Sequence, residues 1–133
     1  MNLLAPLLAL IVPFALWPIE LYLPYPYLIE ELVKAWLVWL NPKFYSALAV
    51  ALAFTFSEAI LYFFNFVQAG SLTWLFVRLV LTAILHTTTA LTILHFMRLG
   101  KWLIIPGLVT AILTHFLYNS YLIPLLITYL GQV

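Results

Sequence analysis

Residues 43–67 read KFYSALAVALAFTFSEAILYFFNFV, and this stretch decides the fold because Glu58 is its only charged residue after the initial Lys43. A helix rises ~1.5 Å per residue, so a run of this length can cross a hydrocarbon core of ~30 Å. We therefore predict a membrane-spanning helix here. A carboxylate inside such a helix costs at least ~2.5 kcal/mol on insertion scales, so Glu58 needs a polar partner within the protein.

Further apolar segments lie on both sides of this run, at residues 3–17, 27–40, 73–96 and 102–130. Stretches that contain proline, glycine or charged residues separate them, and such residues end helices. The segment at 27–40 has only 14 residues and is short for a membrane crossing. The sequence thus predicts an all-α fold, a polytopic transmembrane bundle of about five hydrophobic helices with a short second helix. Residues 1–133 form a single integral membrane domain in this prediction.

The composition agrees with this interpretation, since 67% of the residues are hydrophobic, 7% are charged and the mean hydropathy is +1.17. A soluble domain carries about 25% charged residues, so a soluble fold is excluded and membrane lipids are the expected surroundings. The five Lys and Arg residues form no basic run, which argues against a nucleic-acid partner. The absence of cysteine excludes thiolate metal ligands and a cysteine nucleophile.

The basic residues also predict an orientation. If all five segments cross the bilayer, Lys43 lies on the same side as the turn that contains Arg98 and Lys101. Lys and Arg are enriched in loops that stay in the cytoplasm. We therefore predict a multi-pass protein of the cell membrane with its N-terminus inside and its C-terminus outside.

Six ionisable residues lie within the apolar segments, although each is costly there: Glu30, Glu31, Glu58, Arg78, His86 and His115. Counted from the cytoplasmic ends at ~1.5 Å per residue, the three glutamates and two histidines lie roughly 15–22 Å deep. A shared depth on four helices predicts that these side chains meet inside the bundle. The alternatives are an interfacial helix with solvated carboxylates for the Glu pair, and simple interhelical hydrogen bonds for the two histidines.

Helical spacing adds candidate supporting residues. Residues four apart share a face of a helix, which pairs Glu30 with Lys34, Glu58 with Tyr62, and His115 with Asn119. Arg78 precedes His86 by eight residues, so both can face the interior, although Arg78 could instead extend towards the membrane surface.

Carboxylates and imidazoles in a dry pocket can activate water, the carboxylate as general base and the imidazoles as oxyanion donors or proton carriers. The HExxH and GxSxG motifs are missing, and without any Asp or Cys the chain offers only Glu and His for such chemistry. This set indicates peptide hydrolysis. The alternatives are a non-catalytic scaffold or subunit with a membrane-protein partner, and a proton or ion pathway.

Several short motifs resemble those of the PrsW family of intramembrane proteases, within the wider group of CAAX-prenyl proteases and bacteriocin-processing enzymes. Residues 30–34, EELVK, are similar to its EExxK motif, and residues 54–62, FTFSEAILY, to its FxxxExxxY motif. Arg78 with His86 resembles the Arg-x7-His helix, and residues 115–119, HFLYN, resemble the closing HxxxN. The motifs span residues 30–119 in the family's order and on separate predicted helices.

The resemblance implies an endopeptidase that cleaves a peptide or membrane-protein substrate in or at the bilayer. Glu30 or Glu31 would be the general base, His86 and His115 oxyanion donors or proton carriers, and Glu58 and Asn119 would orient them. The wider group has been discussed both as metal enzymes and as metal-free glutamate proteases. We predict a metal-free site without a cofactor; zinc, if used, would be held by Glu31, His86 and His115.

Overall fold

The computed structural model describes residues 3–68 and 72–130, and all regular structure in this part of the chain is helical. The helices are α1 (Leu4–Glu20), α2 (Pro26–Leu40), α3 (Phe44–Gln68), α4 (Leu72–Leu99), α5 (Ile104–Leu117) and α6 (Ile123–Leu130). A 3₁₀ turn at Lys101–Leu103 leads into α5, and a π-helical turn at Tyr118–Leu122 joins α5 to α6. The last two helices therefore continue one fifth segment, and the all-α bundle is confirmed.

Three helical stretches are long and apolar enough to cross a membrane: Phe44–Phe63, Thr73–Leu99 and Lys101–Tyr129. Helix α1 contains a shorter apolar stretch, Leu4–Ile19. Helix α2 has 15 residues, or ~22 Å of helix, which is less than the ~30 Å of hydrocarbon. The protein is thus a transmembrane-helix protein in which α2 is a short, inserted helix.

Several helix boundaries differ from the predicted ones by one to three residues, such as the end of α4 at Leu99. Two of the differences involve proline. Helix α1 continues three residues beyond Trp17 and includes Pro18 in its last turn. Helix α2 begins at Pro26, a favourable position because the first residue of a helix needs no backbone N–H partner. Proline is favourable only in the first turn, as at Pro26, whereas Pro18 removes one backbone N–H donor from the last turn of α1.

The short helix α2 lies at the centre of the bundle and packs against α1, α3, α4 and α5. Helix α3 packs against α1 on one side and against α4 on the other, and α4 packs against α5. The core of α3 includes the fully buried Ala47 and Ala51, and such small residues let helix backbones approach closely in a membrane protein. This packing encloses the polar face of α2.

Helices α4 and α5 come into close contact at Gly107. A Cβ atom added there would lie 2.6 Å from Cβ of Phe96, closer than real side chains approach one another. Only glycine permits this approach, which positions α5, and therefore His115, against α4.

Candidate functional site

A buried lysine on α2 lies at the centre of the polar residues. The Lys34 ammonium group donates hydrogen bonds to Oε1 of Glu31 at 2.5 Å and to Oγ1 of Thr89 on α4 at 3.1 Å, and lies 2.8 Å from Nδ1 of His86. The side chains of Lys34, Glu31 and His86 have no exposed surface. An ammonium group has three N–H donors, so these three contacts satisfy Lys34 completely.

The contact with Lys34 determines the tautomer of His86. An ammonium group can only donate, so Nδ1 of His86 must accept, and the ring proton of the neutral imidazole lies on Nε2. That nitrogen is 2.7 Å from Oε1 of Glu58 and donates to it. A hydrogen-bonded chain therefore runs from Lys34 through His86 to the Glu58 carboxylate. His86 is thus the polar partner that a carboxylate inside α3 requires.

His115 on α5 lies between the two carboxylates of α2. Its Nδ1 is 2.8 Å from Oε1 of Glu31 and its Nε2 is 3.5 Å from Oε2 of Glu30. A carboxylate only accepts hydrogen bonds, so Nδ1 donates to Glu31. The rings of His115 and His86 meet edge to face with their centroids 5.6 Å apart. We call the group of Glu30, Glu31, Lys34, Glu58, His86, Thr89 and His115 the polar cluster.

All five residues that the depth count brought together are thus in the polar cluster. The interfacial alternative fails for Glu31, which is fully buried, and the Glu30 side chain is only 14% exposed. For Lys34, the structure shows a direct contact that the predicted pairing with Glu30 did not include. Lys34 binds Glu31, three residues away, because Glu31 lies on the same buried face of α2 whereas Glu30 is turned towards α1 and His115.

The structure places some of the predicted supporting residues inside the bundle and others on its surface. The Arg78 guanidinium lies over the Tyr62 ring at 3.9 Å from its centroid, so Arg78 points into the bundle and not towards the membrane surface. Its Nε is buried and has no hydrogen-bond partner among the described residues. Asn119 is exposed and does not join the polar cluster; it lies in the π turn that follows Leu117.

Two small cavities border the polar cluster at Glu58 and Tyr62. One, of about 20 Å³, is also lined by Glu30 and by Trp17 of α1. The other, of about 10 Å³, is also lined by Arg78. Volumes of this size hold about one water molecule, and both cavities have polar walls that could bind it.

A larger groove of about 560 Å³ opens between α4 and the α5–α6 segment. Its wall is mostly apolar, with the hydroxyl-bearing Thr88, Thr114 and Tyr118 at intervals. The Tyr118 hydroxyl is 3.0 Å from Oγ1 of Thr82, and the Tyr118 ring lies 6.5 Å from that of His115. Tyr118 therefore separates the groove from the polar cluster.

The residues named for zinc come together but do not fit a metal ion as they stand. Ligand atoms of Glu31, His86 and His115 all lie within 4.8 Å of one another. Zinc binds such atoms at ~2.0–2.2 Å. However, Lys34 already contacts Glu31 and Nδ1 of His86, and Nε2 of His86 is bonded to Glu58. A cation from the chain itself thus lies among the candidate ligands.

Sequence reasoning missed three features of the site. The contact of Lys34 with Glu31 was not predicted, although their i,i+3 spacing was the available signal. Thr89 follows His86 by one helical turn, which could have placed it on the same face. The bond between Tyr118 and Thr82 joins residues 36 positions apart and had no sequence signal.

The fold and site define a class: an α-helical membrane bundle that encloses a Glu/Lys/His hydrogen-bond network. Comparisons of the chain with protein-family models, with curated proteins and with solved structures gave no match. The likeness to the PrsW family therefore depends on the motif residues alone.

Proposed function

We propose that the protein is an intramembrane endopeptidase that uses a glutamate-activated water. The observation that carries the proposal is the meeting of three carboxylates and two imidazoles from four helices in one buried network. Each such group is expensive in a bilayer, so a network of this size indicates a function that needs it. The resemblance to PrsW motifs supports the same chemistry.

Glu30 is the general base in this proposal. It lines the 20 Å³ cavity, where a water molecule would also meet Glu58, and it lies 3.5 Å from Nε2 of His115. Glu31 suits this role less, because its Oε1 already accepts hydrogen bonds from Lys34 and His115. Glu30 takes a proton from water, and His115 is placed to carry that proton to the leaving amine.

The remaining cluster residues orient these groups. Glu31 holds His115 through Nδ1, and Lys34 holds His86 in the tautomer that donates to Glu58. Because both nitrogens of His86 are already bonded, His86 acts by positioning Glu58 and not as an oxyanion donor. Arg78, with a buried Nε beside Glu58, is better placed to donate to a developing oxyanion.

The substrate in this proposal is an apolar peptide segment in the bilayer. The groove between α4 and the α5–α6 segment has the volume of a ligand site and mostly apolar walls. Thr88 offers a hydroxyl to a peptide backbone, and Oγ1 of Thr114, which donates to the Thr110 carbonyl, can still accept a hydrogen bond from one. The groove wall includes Tyr118, whose ring is 6.5 Å from that of His115, so in this proposal Tyr118 moves aside to let a peptide bond in the groove reach the polar cluster. The water-sized cavity at Glu30 approaches the cluster from the α1 side.

The test is cleavage of a panel of fluorescent transmembrane peptides by the purified protein in lipid bicelles, with products identified by mass spectrometry. Glu30→Gln and His115→Ala should lower kcat by about 10²–10⁴-fold, the usual contribution of acid–base groups. His95→Ala is the matched control, because His95 is exposed on α4 and should leave kcat unchanged. Full activity of a folded Glu30→Gln variant, or no cleavage by the wild-type protein, contradicts the proposal.

A proton pathway is the second candidate function, because hydrogen bonds link Glu58, His86, Lys34, Glu31 and His115 without a break. Such a chain can relay protons. In sealed vesicles with a pH gradient, wild-type proton flux that is lost in Glu58→Gln would select this function. The scaffold alternative would be favoured instead if the protein co-purified stoichiometrically with another membrane protein and none of these substitutions changed its function.

We also infer a multi-pass topology with the N-terminus inside and the C-terminus outside. The support is the position of Lys43, Arg98 and Lys101 at one end of α3, α4 and α5, where Arg98 binds the Pro42 carbonyl at 3.3 Å. Reporter fusions at each terminus test it: a cytoplasmic reporter should be active only at the N-terminus. Activity at both termini, or at the C-terminus alone, would contradict this topology.

A further inference from the structure

We propose that the ammonium group of Lys34 takes the place of a metal ion among Glu31, His86 and His115, and that removing it opens a site for a divalent cation. The inference concerns the same side chains as the proposed function but does not require that the protein hydrolyse peptides.

The position of the ammonium group carries the proposal. Lys34 lies 2.5 Å from Oε1 of Glu31 and 2.8 Å from Nδ1 of His86, and these two residues belong to the group whose ligand atoms lie within 4.8 Å of one another. His115 completes this group and bonds to the same oxygen of Glu31. A carboxylate oxygen and two imidazole nitrogens form a donor set that suits zinc and related metals.

The charge of Lys34 explains why it competes with a metal. Three buried or half-buried carboxylates, Glu30, Glu31 and Glu58, lie around the site, and Lys34 contacts Glu31 directly. A metal could bind only if the lysine gave up all three of its hydrogen bonds, with no water nearby to replace them because its side chain has no exposed surface. The lysine is tethered to α2 one turn from Glu31, so it competes at a high effective concentration.

Replacing Lys34 with an uncharged residue would leave its partners without a cation. Glu31 would keep a buried negative charge without its cation, and Nδ1 of His86 would lose its donor. An uncompensated buried carboxylate is strongly unfavourable, and coordination of a cation is one way to relieve it. The space left by the lysine side chain lies directly between these ligands. Lys34→Ala should therefore bind a divalent cation that the wild-type protein rejects.

The experiment compares binding of Co²⁺ and Zn²⁺ to purified variants that carry an affinity tag without histidine. Wild-type protein should bind less than about 0.1 equivalent of zinc by mass spectrometry, whereas Lys34→Ala should bind about one equivalent, at least tenfold more tightly than wild type, and give the visible absorption of tetrahedral Co²⁺. Lys34→Arg retains the positive charge and should behave like wild type. Lys34→Ala combined with His115→Ala should lose the cobalt spectrum.

Lys34→Met, which keeps most of the side-chain volume, replaces Lys34→Ala if the latter does not fold; it should still bind cobalt at least tenfold more tightly than wild type. The proposal is overturned if a folded Lys34→Ala or Lys34→Met variant binds cobalt no better than wild type. It is equally overturned if wild type binds one equivalent of zinc that His86→Ala removes. These outcomes are read from metal content and spectra, so they stand apart from any peptide cleavage.

Discussion

The buried ion pair between Glu31 and Lys34 allows a quantitative test of the site. Both side chains are fully buried, and their charged atoms are 2.5 Å apart. Replacing one member leaves the other as an uncompensated buried charge, which typically costs 3–5 kcal/mol. We therefore expect Glu31→Leu and Lys34→Met each to lower the free energy of unfolding by about that amount.

The double variant distinguishes an ion pair from two independent contacts. Independent losses would add to about 6–10 kcal/mol, whereas replacing both charges with apolar groups of similar size removes the uncompensated charge. We expect the double variant to cost clearly less than the sum, with a coupling free energy of about 3 kcal/mol. The remainder reflects the bonds lost to His115, His86 and Thr89.

Reversible unfolding with SDS in mixed micelles, followed by circular dichroism, measures these free energies. Lys43→Met is the matched control, because Lys43 is exposed and should change stability by less than about 0.5 kcal/mol. If both single variants cost less than about 1 kcal/mol, α2 is an interfacial helix with solvated charges. Costs that add fully in the double variant would show that the two residues do not act as a pair.

Two further predictions concern packing around the cluster. Gly107→Ala should lower the free energy of unfolding by about 1–3 kcal/mol in the same assay, because the new Cβ would lie 2.6 Å from that of Phe96. Gly100→Ala is the control and should be tolerated, because its new Cβ would make ordinary contacts at 3.7 Å. Equal effects of the two substitutions would contradict the close approach at Gly107. Tyr118→Phe should lower the free energy of unfolding by about 0.5–1.5 kcal/mol, because it removes the hydrogen bond to Thr82, and should have no effect in a Thr82→Val background. The same loss of stability in both backgrounds would show that this hydrogen bond is not the cause.

The convergence of the acidic and histidine side chains was predictable because depth along a membrane helix follows from residue count. Glu30, Glu31, Glu58, His86 and His115 share a depth in the sequence, and a polar group at that depth needs another polar group beside it. The shared depth identified these five members of the polar cluster, but not Lys34 and Thr89. It did not give their partners, since residues three and four positions away lie on the same face and the helix's rotation decides between them.

Asn119 shows where the argument from spacing fails. Its position four residues after His115 predicts a shared face in a regular α-helix. Tyr118 lies beside His115, whereas Asn119 is exposed at the start of the π-helical turn. Spacing alone does not say which residues of a helix face are covered by neighbouring helices, because that depends on how the α5–α6 segment packs.

The sequence by itself determined the all-α membrane bundle, the short second helix and the layer in which charged residues must meet, because hydropathy, proline positions and helical rise are local properties of the chain. Only the tertiary structure decided that Lys34 pairs with Glu31 and orients His86 towards Glu58, and that Gly107 brings α5 against α4. These contacts depend on the relative rotation and spacing of helices distant in sequence, which arise only when the whole bundle packs.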